Sequence, residues 1–132
     1  MKQMIKLYAH PSNEHQHQVN VIRWSLAHRV QYPDLKLLHA VPNGGRRDPI
    51  EAKHLQDEGL KKGVPDLDLP VPRGKYHGLR IEMKTETGRP TIEQDWWLGE
   101  LRKQGYFCEV CHGWESAVRV LEWYLGLGKF KS

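Results

Sequence analysis

The chain has 132 residues, 39% apolar and 27% charged, with five tryptophans and a net charge of +4. The length suits one domain with a single core over 1–132, and the composition excludes a disordered chain. No run of about 18 apolar residues is present and the opening MKQMIKLYAHPSNEH lacks a long apolar stretch, so neither a membrane span nor a secretion signal is expected and the chain is read as cytoplasmic.

In chain order, SNEHQHQVNVIRWSLAHRV predicts a helix. Val19, Ile22, Leu26 and Val30 recur at helical spacing, with Ser12 or Asn13 as cap. Leu35 to Val41 predicts a strand, followed by a glycine-rich loop, PNGGRR. Asp48, Pro49, Glu51 and Gly59 frame a short helix, with Glu51 completing a capping box. PDLDLPV and HGLRIEMKT predict two strands joined by PRGKY. A helix from about Thr91 to Gly105, the strand YFCEVCH and a last helix, WESAVRVLEWYLG, complete the order α-β-α-β-β-α-β-α. Cys108 and Cys111 are spaced C-x-x-C without a second pair, and strand alternation turns their thiols to opposite faces. They read as two small half-buried residues. His10, His15 and His17 do not read as a zinc site, because helix positions two apart do not face each other. Trp96 and Trp97 have a stacking role on bases as one reading, but adjacent on one helix, at least one belongs in the core.

The stretch from Pro65 to Thr85 carries an unusual pattern. In a hairpin centred on Gly74, Leu67, Leu69, Leu79, Ile81 and Met83 share one face. The other face carries Asp66, Asp68, Arg80, Glu82 and Lys84, with Asp66 opposite Glu82 and Asp68 opposite Arg80. Opposed carboxylates repel, and stay together by raising a pKa or by holding a cation between them. Asp66 and Glu82 with the Met83 carbonyl suit a hard cation such as Mg²⁺. Lys84, two residues from Glu82, is placed to orient or deprotonate water or to neutralise a phosphate. Asp68–Arg80 reads as a cross-strand ion pair. The plain alternative is a solvated strand with mixed charges. A basic segment around a small acidic centre suits a phosphodiester substrate. Arg46 and Arg47, before a capped helix, are candidate phosphate contacts, and Lys75 and Arg89 are further candidates.

Read in order, GVPDLDL, IEMK and GRPTIEQ resemble the PD-(D/E)xK nuclease superfamily, and more closely the VRR-NUC family of virus-type replication and repair nucleases. The length is similar to that of stand-alone phage members. The resemblance implies an α/β fold with a restriction-endonuclease-like αβββαβ core. A mixed central sheet is flanked by helices, with a short helix inserted between strands 1 and 2 and a C-terminal helix. It implies that Asp66 and Glu82 bind Mg²⁺ or Mn²⁺, that Lys84 is the catalytic lysine, and that Gln94 is the motif glutamine. Glu14 matches an acidic position that lies near the metal. Thr91-x-x-Gln94 also spells a capping box: spacing alone favours the cap, and the resemblance reverses that preference. Glu14 equally fits a carboxylate at a helix N-terminus.

The implied function is metal-dependent endonucleolytic cleavage of structured DNA, such as Holliday junctions or flaps, in replication, recombination or repair. A homodimer is expected, in the host cytoplasm if phage-encoded. A non-catalytic DNA-binding module on the same fold is the alternative, and a basic protein-interaction domain is a third reading.

Overall fold

The computed structural model describes residues 11–42 and 48–132. Asn13 accepts the Gln16 backbone N–H and starts helix α1, Glu14–Ala27. The buried stripe of α1 is Asn20, Val21, Trp24 and Ser25, whereas Leu26 and Val30 are 54% and 97% exposed. This corrects the expected apolar face. The helix turns on Trp24, whose large ring dominates burial, and it ends before Val30. The expected strand from Leu35 to Val41 also divides. Pro33–Leu37 form a 3-10 helix, and only His39–Ala40 form strand β1. Proline pre-sets the first turn, and Leu35 and Leu38, three apart as that helix requires, are both buried.

Helix α2, Pro49–Asp57, is the insertion between the first two strands, and the Asp48 side chain accepts the N–H groups of Ile50 and Glu51. Strands β2, Leu67–Leu69, and β3, Leu79–Lys84, pair antiparallel with Asp68 opposite Arg80. That is the register of a turn centred on Gly74, which has φ +54°. Helix α3, Ile92–Lys103, then crosses over to strand β4, Phe107–His112, which runs parallel to β3. Helix α4, Trp114–Leu125, follows. The mixed sheet has the order β1-β2-β3-β4.

Leu67, Leu69, Leu79, Ile81 and Met83 are buried together against Val21 and Trp24 of α1 and Ala117, Leu121 and Tyr124 of α4. Each such side chain contributes roughly 1.5–3 kcal/mol through removal from water. The hairpin's apolar face is thus the core, and its charged face turns the other way. Cys108 and Cys111 are fully buried rather than half-buried. Burial pushes their thiols up to about 11 and about 12, so both stay protonated and inert.

Gly63 matters for position. It has φ +92°, and a Cβ there would lie 2.8 Å from Glu93 Cβ. The segment leading into Asp66 therefore presses on the first turn of α3, and the Trp97 indole donates to the Lys62 carbonyl at 3.1 Å.

Candidate functional site

Asp66 lies just before β2 and projects over the end of β3, where its Oδ2 accepts the Met83 backbone N–H at 2.7 Å. A strand residue's N–H and C=O point to the same side, so the Met83 carbonyl faces Asp66 as well. Glu82 is 1% exposed and its Oε1 has no hydrogen-bond partner. Burial first, then the hydrogen bond and charge of Asp66, push the Glu82 carboxyl up to about 9. The physical cause is plain. With both groups ionised, neither carboxylate has a proton to donate, and a buried anion faces a second anion. Lys84 opposes this shift. Its Nζ lies 3.7 Å from Glu82 Oε2 and 3.4 Å from Glu14 Oε1, with the side chain 10% exposed.

The first turn of α1 thus brings Glu14 to the hairpin across 70 residues of sequence. A tertiary contact supports it: His17 Nδ1 accepts the Trp114 backbone N–H at 3.0 Å. The ring stands in for a side-chain cap at the start of α4, whose N-cap is Gly113. No sequence pattern marks this contact, because His17 and Trp114 are 97 residues apart. Gln94 completes the capping box: its Oε1 accepts the Thr91 N–H at 2.9 Å.

Asp68 is occupied as expected, with Oδ1 2.9 Å from Arg80 Nε, and Oδ2 3.4 Å from His39 Nε2. Arg89 is exposed in the loop after β3 and lines a cleft of about 500 Å³ together with Glu86, Gly88 and His112. His112 stands opposite Lys84 in the β3–β4 register, a position no motif marked. Lys75 is at the hairpin tip, at the far end of β3 from Lys84. Arg46 and Arg47 lie outside the described residues, as does His10. Among the described residues, no three His, Cys, Asp or Glu side chains gather around a common point. The structure pairs Asp66 with Glu82 and sets Lys84 between Glu82 and Glu14: three carboxylates and one lysine in a chain of contacts, with one oxygen of Glu82 buried and unsatisfied.

No curated protein matches the sequence. A solved structure described as a VRR_NUC domain protein matches with TM-score 0.78 at 31% identity, covering 91% of this chain and 93% of that chain. The VRR-NUC domain family matches residues 12–115, a span that holds Glu14, Asp66, Glu82, Lys84 and Gln94. With its sheet order, its inserted helix and the carboxylate pair at the end of its central hairpin, this chain belongs to the VRR-NUC family and has a nuclease-type fold.

Proposed function

We propose that the chain is a divalent-metal-dependent DNA endonuclease, one nuclease domain over residues 1–132, hydrolysing phosphodiester bonds in branched DNA. It would act as a homodimer, in the cytoplasm, during replication, recombination or repair. The observation that carries this reading is the Asp66–Glu82 pair, with one oxygen of Glu82 buried and unpartnered. A cation is a ligand that such a pair suits, because it would neutralise both carboxylates at once. Asp66, Glu82 and the Met83 carbonyl offer only oxygens, the donors preferred by Mg²⁺ and Mn²⁺. Glu14, beside Lys84, is a further candidate. When bound, the ion supplies charge neutralisation at the phosphate and a more acidic water.

The remaining work belongs to the chain's own side chains. Lys84 is aimed by Glu14 and Glu82, 3.4 Å and 3.7 Å from its Nζ, and that Nζ meets a non-bridging phosphate oxygen or holds the attacking water. Gln94 spends only Oε1 on the cap, which leaves its amide N–H groups to donate toward water or phosphate. Both readings of Gln94 are therefore compatible. Arg89 and, outside the described residues, Arg46 and Arg47 supply phosphate contacts; Lys75 does so only for DNA that reaches the hairpin tip.

The test is a panel of junction, flap, splayed-arm and duplex DNAs with Mg²⁺ or Mn²⁺. Wild type is expected to cut a branched substrate. Asp66→Asn and Glu82→Gln are expected to lose at least a hundredfold, about 2.7 kcal/mol of barrier, while staying folded. Cleavage at wild-type rate by both variants at saturating metal would remove the site assignment. Metal-independent DNA binding with no cleavage of any substrate would leave the non-catalytic module instead.

A further inference from the structure

The sheet ends at β4, and among the described residues nothing pairs with its outer edge. Phe107 N–H bonds to Gly78 and Gly113 N–H to Lys84, so odd-numbered residues of this strand bond inward to β3. The N–H and C=O groups of Cys108, Val110 and His112 therefore point outward. Arg102 covers the Cys108 carbonyl at 2.9 Å, which blunts one end of the edge and leaves the Val110–His112 end open.

Beside this edge, under α4, lies a cleft of about 380 Å³ lined by Tyr76, Phe107, Ser116, Arg119, Val120 and Trp123. Its rings form one wall: Phe107 lies 4.8 Å from Trp123 and 5.1 Å from Tyr76, centroid to centroid. Trp123 is 48% exposed, a large apolar surface left in water. Arg119 at the cleft and Arg102 at the edge form no ion pair among the described residues.

We propose that the β4 edge and the cleft beneath α4 bind an extended acidic peptide segment of a partner protein, added as a fifth strand. Outward N–H and C=O groups at a two-residue repeat are matched by a polypeptide backbone. Alternate apolar side chains of such a strand fill the ring-lined cleft. Carboxylates flanking them meet Arg119 and Arg102, and charge complementarity of this kind selects the partner more than it adds affinity. The chain's own first ten residues carry Lys2 and Lys6 and no carboxylate side chain, so they lack this chemistry. The surface is separate from the Asp66–Glu82 centre, and its occupancy can be read without any cleavage assay.

The probe is fluorescein-labelled Asp-Phe-Asp-Val-Asp-Phe, followed by anisotropy, with Lys-Phe-Lys-Val-Lys-Phe as control. Saturable binding of the acidic peptide and at least tenfold weaker binding of the basic one are expected. Arg119→Glu should weaken the acidic peptide at least tenfold while leaving DNA cleavage unchanged. Val110→Pro should do the same by removing an outward N–H that β3 does not use, a substitution that edge strands tolerate. If circular dichroism shows that variant unfolded, Trp123→Ser takes its place. Absence of binding up to about 1 mM, equal binding of both peptides, or indifference to the variants would overturn the proposal. So would a concentration-dependent dimer that Val110→Pro abolishes in a chain that takes no peptide, since the edge would then belong to a second copy.

Discussion

Glu82 holds a proton in the metal-free fold that it gives up in the unfolded chain. Its carboxyl titrates near 4.5 when unperturbed and near 9 in the folded protein. Between those values the folded state binds one proton more, so stability falls as pH rises, by at most about 1.4 kcal/mol per pH unit. The melting temperature of metal-free protein should drop steadily from pH 5 to pH 8, and Glu82→Gln should flatten that slope. A wild-type curve independent of pH would contradict the buried-pair picture. Divalent metal should restore stability most at the alkaline end, where no proton competes for the site. Lys84→Ala should cut turnover far more than DNA affinity, since one ammonium adds little to a contact with many phosphates. Equal losses in both would make Lys84 a binding residue only. Gln94 can be separated into its two uses. Gln94→Glu keeps an oxygen for Thr91 but loses the amide donors, so the melting temperature should hold while cleavage drops at least tenfold, about 1.4 kcal/mol of barrier. Gln94→Ala should lose the same activity and also about 0.5–1 kcal/mol of stability. Normal cleavage by both variants would reduce Gln94 to a helix cap.

Elements with two-residue alternation or complete caps were legible in the sequence. The hairpin register followed from the turn at Gly74, and α2 and α3 begin where Asp48 and Thr91 cap them. The grouping of the hairpin's candidate residues was legible for the same reason, because alternation puts Asp66, Glu82 and Lys84 on one face, and their side chains do meet there. What failed was local and physical. The apolar run from Leu35 to Val41 begins inside the turn that Pro33 starts and buries leucines three apart, so tertiary packing chose a 3-10 helix over a strand there. The buried face of α1 differs from the one apolar spacing predicts because Asn20 and Ser25 lie on it, and polar residues on a buried stripe hide it from a hydrophobic count. Ser25 manages this by donating to the Ile22 carbonyl at 2.8 Å. The approach of Glu14 to Lys84 depends on how α1 docks, which no spacing encodes. At this scale the expectation is that Glu14→Gln changes stability by less than about 1 kcal/mol, as for other half-exposed ion pairs, yet slows cleavage by loosening Lys84. A rate equal to wild type would leave Glu14 as an ordinary first-turn acid.

For the whole molecule, a net charge of +4 makes DNA affinity salt-dependent, and Arg46 with Arg47 tests how much of it is local. The double alanine variant should lower the slope of log affinity against log salt by roughly one unit per lost phosphate contact. An unchanged slope would place both arginines off the DNA. The charge cluster also draws on the chain at widely separated points. Glu14 reaches Lys84 from a helix that packs on α4, His17 holds the start of α4, and the Lys84 carbonyl accepts the Gly113 N–H at 3.0 Å. A growing chain that has emerged only as far as the hairpin has Asp66, Glu82 and Lys84, but neither the parallel strand beside β3 nor the helix against which α1 docks. Such long-range closure comes late, because loop entropy must be overcome before distant contacts form. Synthesis therefore withholds the assembled cluster until residues beyond Trp114 are free to fold, and a half-made chain carries the acids without the geometry that would let them act together.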